Sequence, residues 1–397
     1  MRRFNVKFLL ILFIFTGLNY GGDEDRISPK ANPHIYRYAF ARIGAQNWAA
    51  GGAASLSDPV AGAIFHPAAM SGNRFRFDVQ VNHRFQTDWL YGYNTDGKTI
   101  LPTYAGVYLP LDAFNVTVGY YRPYDLYLST EIELTLEPEG TKEFINIETV
   151  NRIHSPFAAI SYAVNKQLRI GVNLNLHYLQ REESMDRLKS EGHAYGFGLL
   201  ASIVYRVNDD FEIGLSGGYH HLPEYDLKTD VTSLVGPEND STAVFVSDES
   251  TTPAEGDLPP VVRLNSRYRI LPELKLFAGI EYWRWTIIDE DYKNNLELHA
   301  GLNYQVLESL SVSLGYAKNN GQFSDPEAYF PSIQPFYEQN ILTAGLHYRF
   351  GQHLKLNLSV MDSHILKNDD YTHDTDLGKT EGSMAQTIVM ANIGYEW

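Results

Sequence analysis

An all-β fold is predicted for this 397-residue chain: a transmembrane antiparallel β-barrel of about fourteen strands, with an N-terminal hatch or plug in the lumen. Three observations lead there. Hydrophobicity alternates with period two through most of the chain, the connections between alternating segments are by turns very short and long, and an export-type N-terminus is followed by no stretch apolar enough to cross a bilayer as a helix.

The alternation is clean. Leu168, Ile170, Val172, Leu174, Leu176 and Tyr178 fall on one face, and Arg169, Gly171, Asn173, Asn175 and His177 on the other, because successive strand side chains point to opposite sides. Phe211, Ile213, Leu215, Gly217 and Tyr219 repeat the pattern, as do Leu354, Leu356, Leu358 and Val360. A soluble sandwich also alternates, so length and connectivity must decide between the two.

The N-terminus supplies the address. Met1-Arg2-Arg3-Phe4-Asn5-Val6-Lys7 is basic, residues 8–18 are mostly apolar, and Asp23-Glu24-Asp25 follow. This is the layout of a secretory signal peptide, expected over 1–22 with a poorly marked cleavage site near 19–22. It is too short to span a bilayer. Export combined with a barrel, in which every backbone group is paired between strands, implies the bacterial outer membrane.

Residues 23–72 do not alternate. Ala and Gly dominate 39–72, and small residues permit the close packing of a plug inside a wall of about fourteen strands, which is too wide for its own side chains to fill. The remainder, 73–397, reads as the barrel. Strands are expected at 74–86, 101–109, 113–123, 151–164, 167–181, 192–207, 210–222, 259–269, 273–286, 295–306, 309–319, 338–349, 353–366 and 384–397. Tight turns such as Asn165-Lys166, Asn208-Asp209 and Gly351-Gln352 alternate with the long connections 87–100, 124–150, 182–191, 223–258, 287–294, 320–337 and 367–383. Outer-membrane barrels have this asymmetry, with short periplasmic turns and long external loops. The final strand ends on an aromatic residue, Trp397.

Composition excludes some roles. With no cysteine there is no disulfide framework and no thiol nucleophile. A net charge of −16 opposes binding to nucleic acid phosphates. The 27 tyrosines suit the two membrane interfaces, where a ring meets lipid and its hydroxyl meets water. No Ser/His/acid arrangement stands out, so neither enzymatic activity nor a cofactor is expected. His220-His221, and Asp369-Asp370 with Asp374 and Asp376, lack the ligand spacing of a metal site, and none is expected.

The Gly/Ala-rich run, the turn at Asp58-Pro59, and then His66-Pro67-Ala68 resemble the N-terminal hatch of the FadL/TodX family of outer-membrane transporters for hydrophobic compounds. In that family the last element reads Asn-Pro-Ala, so His66 is a departure. Strand pairs such as Gly301-Leu302-Asn303-Tyr304 with Leu310-Ser311-Val312-Ser313-Leu314-Gly315-Tyr316 are similar too, in the same order, from about residue 36 to the end. The resemblance implies diffusion of long-chain fatty acids or other apolar molecules through a plugged barrel, with exit past the hatch near the third strand, here 113–123.

A fatty acid needs an apolar path and a cation for its carboxylate, since an unpaired buried charge is costly. Arg263 and Arg267, expected to face inward, offer a guanidinium fork for it. The competing reading pairs them with wall carboxylates such as Glu281 and Glu297. Expected partners are a hydrophobic small molecule or fatty acid, together with outer-membrane lipid and lipopolysaccharide. An alternative is a FadL-like barrel of the PorV kind, which handles secreted protein cargo in type IX secretion.

Overall fold

The computed structural model describes residues 40, 42–90, 93–112, 114–136, 141–185, 188–235, 244–254, 258–288, 292–320, 339–366, 371–375 and 378–397. The expected signal peptide and Asp369, Asp370 and Asp376 lie outside them. Seventeen strands are described: β1 (Arg76–Leu90), β2 (Tyr93–Leu111), β3 (Phe114–Leu136), β4 (Thr141–Ala163), β5 (Leu168–Met185), β6 (Leu188–Arg206), β7 (Phe211–His221), β8 (Tyr225–Val235), β9 (Val244–Ala254), β10 (Val261–Arg269), β11 (Leu274–Trp283), β12 (Asn295–Leu307), β13 (Leu310–Asn319), β14 (Gln339–Phe350), β15 (Leu354–Asp362), β16 (Tyr371–Thr375) and β17 (Gly378–Glu396).

Fourteen of these close a ring. Antiparallel pairing runs in chain order from β1 to β7, passes from β7 to β10, and continues to β15. From β15 it passes to β17, which pairs back onto β1 from Arg76↔Glu396 to Leu90↔Gly382. Closure removes the sheet edges that an open sheet would expose. Trp397 completes the seam: its backbone N–H donates to the Phe75 carbonyl at 3.1 Å, and the two rings lie 4.0 Å apart.

Burial in this wall is inverted relative to a soluble protein. Along β5, Leu174 and Leu176 are 50% and 59% exposed, whereas Asn173 and Asn175 are 0% and 2% exposed. The greasy face points outward and the wet face inward. Near the tight turns the outward residues become aromatic, with Phe114, Tyr162, Tyr205, Tyr268, Tyr304, Phe350 and Tyr395 all exposed. The turns themselves are built by short polar side chains. Asn165 Oδ1 accepts from the N–H groups of Gln167 and Leu168, both at 2.8 Å, and Asn208 does the same for Asp210 and Phe211. Gly351 sits in its turn at φ 62°, the left-handed region that glycine adopts without a Cβ clash.

All fourteen expected strands are present, but the long connections are not simply loops. Pairing of β3 with β4 continues to Leu136↔Thr141, the β8–β9 hairpin stacks on the far end of β6, and β16 pairs with β17. The backbone ladder persists there, and β8 keeps one buried face, with Tyr225 and Leu227 buried and Asp226, Lys228 and Asp230 exposed. The third strand also differs from expectation. It runs through Pro123 instead of stopping at it, with a register shift between Tyr121 and Tyr124.

Candidate functional site

The segment before β1 folds within the ring. Its short helix α1 (Ala45–Ala49) and the helix α2 (Pro59–Phe65) are followed by a 3₁₀ turn at Pro67–Ala69. Asp58 and Pro59 start α2 in the way helix chemistry favours: Asp58 is the N-cap and Pro59 takes the first turn, where its missing N–H costs nothing. Asp58 Oδ1 accepts from Val60 at 2.8 Å and Ala61 at 3.1 Å, and Oδ2 accepts from Asn47 at 2.7 Å, which ties α1 to α2. Complete burial pushes the carboxyl up from its ordinary range, against the pull of those N–H donors.

Inward polar residues from around the wall satisfy this segment's backbone. Gln80 and Asn82 of β1 donate to the Arg42 carbonyl at 2.8 and 2.9 Å, and Gln80 accepts from Gly44. Asn173 of β5 donates to Ala63, Ser202 of β6 accepts from Ala68, and Thr343 of β14 accepts from Gly51. A segment bonded to strands on all sides of a closed ring lies in the lumen. Wall glycines let it approach. A Cβ on Gly315 would sit 2.1 Å from Gly51 N, and one on Gly171 would sit 2.3 Å from Ala68 N.

His66, Pro67 and Ala68 lie in this contact. His66 Nε2 is 2.8 Å from Asn265 Oδ1, an acceptor, so this nitrogen carries a proton. Burial lowers its pKa from the ordinary 6.5 to about 4. The departure from Asn-Pro-Ala thus keeps a side-chain donor at this position.

Beyond the inner segment, towards the long-loop end, the lining changes. Phe40, Leu126, Ile153, Leu222, Trp283, Trp285 and Tyr292 form one buried apolar cluster. Phe40 meets Tyr124, Trp283 and Trp285 edge-on at 5.4, 5.1 and 6.2 Å. These residues are inward-facing, so the lumen there is oily.

The wall has a discontinuity beside this cluster. Pairing of β2 with β3 runs from Leu111↔Phe114 to Tyr104↔Tyr121, and among the described residues it goes no further. Pairing of β3 with β4 resumes past the bulge at Tyr124↔Ile153, whereas β4 and β5 skip from His154↔Tyr178 to Phe157↔Asn175. Pro123 has no N–H to give to a ladder, and the bulge turns the strand beyond it away from β2. A cavity of about 60 Å³ lies between this break and the inner segment, bordered by Phe65, Tyr121, Pro123, His220, Arg263 and Trp283. It is smaller than the roughly 150 Å³ void that accommodates benzene in an engineered protein core.

The two arginines read from the sequence occupy different places. Arg263 borders the cavity, with Nε 3.2 Å from Glu281 Oε1 and its guanidinium 4.8 Å from the Phe65 ring and 5.3 Å from that of Trp283. Pairing with Glu281 is the competing reading named from the sequence. Arg267 lies nearer the tight turns, 2.9 Å from Glu212, which also meets Arg206 at 3.0 Å and Arg169 at 3.7 Å. The family resemblance implied an exit near the third strand, but only register reveals where β2 and β3 part. The Arg122-Pro123 step within an alternating run was the faint signal of that parting.

No family model and no curated protein matches the sequence. Solved structures do match. The toluene transporter TodX of Pseudomonas putida superposes with a TM-score of 0.70 at 13% identity, covering 90% of this chain and 99% of that one. The chain has the FadL/TodX-type fold. A Pseudomonas aeruginosa FadL homologue gives a TM-score of 0.66 at 13% identity over 90% of this chain and 99% of its own. The toluene transporter TbuX of Ralstonia pickettii gives 0.66 at 11% identity over 89% and 99%. At such identities the likeness concerns the backbone. Which residues serve the lumen of this FadL/TodX-type barrel must come from its own contacts.

Proposed function

We propose that the chain is a bacterial outer-membrane transport protein for hydrophobic compounds such as long-chain fatty acids. They diffuse through the barrel and past the inner segment, which acts as a hatch. The outward apolar belt with its aromatic rim suits a bilayer. The acidic loops suit a lipopolysaccharide surface bridged by divalent ions. The observation that carries the reading is the interrupted β2–β3 ladder beside a cavity that joins the oily upper lumen. An apolar solute can cross such a path without entering water, and the structurally similar TodX and TbuX are toluene transporters.

Of the two arginines, Arg263 is the stronger candidate for an anionic head, because it borders the cavity. A carboxylate there must compete with Glu281, whereas a neutral hydrocarbon need not. The test is uptake of labelled oleate and labelled toluene by cells lacking their own importer. The wild-type barrel is compared with a variant in which one residue of the Arg122-Pro123 bulge is deleted, restoring even register between β3 and β4. Uptake should fall several-fold in the variant while the barrel still assembles. Uptake no higher than in cells without the barrel would refute transport. Undiminished uptake in the variant would refute the side exit.

A further inference from the structure

Three inward side chains, Glu281 of β11 with Glu297 and His299 of β12, converge behind the inner segment. Glu281 and Glu297 are register partners, and His299 lies two residues along the same face. Their ligand atoms all fall within 4.8 Å of one another. His299 Nδ1 is 2.7 Å from the Gly51 carbonyl and must therefore donate to it, which leaves Nε2 to face the two carboxylates. The Glu297 and His299 side chains are both 0% exposed, and His299 Nε2 makes no hydrogen bond. It stands 3.9 Å from Glu281 Oε1 and 3.9 Å from Glu297 Oε2. A bare imidazole lone pair aimed at two carboxylates is repulsive, and 3.9 Å is too long for an N–H to bridge. A cation between the three atoms answers both problems.

We propose that Glu281, Glu297 and His299 form a binding site for a divalent transition-metal ion of the zinc class. One imidazole and two carboxylates are a donor set such ions accept, and tetrahedral bonds of about 2.0–2.2 Å put ligand atoms about 3.3–3.6 Å apart, so the three side chains would close in on the ion. Each ligand is also held by an outer partner, as metal ligands commonly are. Gly51 O orients His299, Trp283 Nε1 donates to Glu281 Oε2 at 3.2 Å, and the Asn319 amide, with its nitrogen turned to Glu297, donates to Oε2 at 3.1 Å. Arg263, 3.2 Å from Glu281 Oε1, offsets one of the two negative charges, so an ion must compete with it for that carboxylate. Because His299 grips Gly51, the ion would brace the β11–β12 wall and the inner segment together.

The test uses the full-length barrel in detergent, stripped with a chelator and titrated with zinc, and separately with cobalt(II) to read nitrogen/oxygen ligation in its absorption spectrum. Wild type should take up one zinc ion per chain. Glu297→Gln, which keeps shape and removes charge, should bind at least about tenfold more weakly, a loss of the size expected even for an outer partner. His299→Ala should abolish the cobalt spectrum, and heat-modifiable gel mobility reports that each variant remains a folded barrel. Zinc uptake by wild type that matches Glu297→Gln, or a cobalt spectrum unchanged by His299→Ala, would overturn the site. Folded wild type that binds no zinc would do so too, leaving a proton or water as the occupant.

Discussion

Two regions of the lumen are lined by contrasting chemistries, and different strands of the one wall supply them. Near the tight turns the inward residues are Gln80, Asn82, Asn173, Ser202, Asn265 and Thr343, and each bonds the backbone or His66 of the inner segment. Towards the long-loop end the inward residues are Leu126, Ile153, Leu222, Trp283 and Trp285, packed on one another and on Phe40. The difference teaches what an inward position is for. Where irregular chain enters the bore, its N–H and C=O groups need partners, and the wall supplies amides and hydroxyls. Towards the long-loop end the described contacts of this cluster are between apolar side chains, and an apolar solute can dissolve among them.

Changes confined to one half should break that half alone. The largest effect is expected in the oily half. Trp285 is fully buried, with Tyr292 6.0 Å and Trp283 6.4 Å away ring to ring, so Trp285→Ala should cost about 3–5 kcal/mol. Denaturant unfolding in micelles would register it, while protease resistance of the inner segment should persist.

Next in size is an acid sensitivity of the polar half. His66 is held neutral with a pKa of about 4, against the ordinary 6.5 in a released segment. The released form therefore binds a proton first as pH falls. The docking stability that His66 contributes is complete above about pH 6.5 and is lost progressively down to about pH 4, by about 3 kcal/mol in all. Limited proteolysis of the inner segment should accelerate across that window, and His66→Gln should flatten the dependence.

The smallest change adds one methyl group. Gly315→Ala would place a Cβ 2.1 Å from Gly51 N, with backbone on both sides, so the inner segment must shift. Overpacking of this kind costs about 1–3 kcal/mol. Faster cleavage near Gly51 with unchanged barrel mobility on gels would register it. Equal protease resistance in Gly315→Ala and wild type would mean that the close approach contributes nothing to docking.

Much of the architecture was legible in the sequence. Alternation marked fourteen strands and their faces, and Asn165, Asn208 and Gly351 marked turns, because both signals are local. Asp58-Pro59 was read as a turn, whereas it starts α2, with Asp58 as the cap and Pro59 as the first residue. The long connections were read as loops, although β8, β9, β16 and the far ends of β3 and β4 lie within them; the alternation of Tyr225, Leu227 and Val231 with Asp226, Lys228 and Asp230 was the local signal of a strand there. The site was legible only in outline. Arg263 was marked as an inward cation with Glu281 as a partner, but nothing distinguished its place at the cavity from that of Arg267 beside Glu212.

By itself, then, the chain's order of residues determined how many times it crosses, which side chains turn outward, and which end carries the tight turns. These follow from a two-residue repeat and from turn preferences that act over a few positions. The tertiary structure alone decided that β3 parts from β2 after Tyr121, and that Glu281, Glu297 and His299 come together with His299 against the distant Gly51. Register between strands and the path of the inner segment are set by packing across the whole ring, and no local pattern encodes a meeting between residues so far apart.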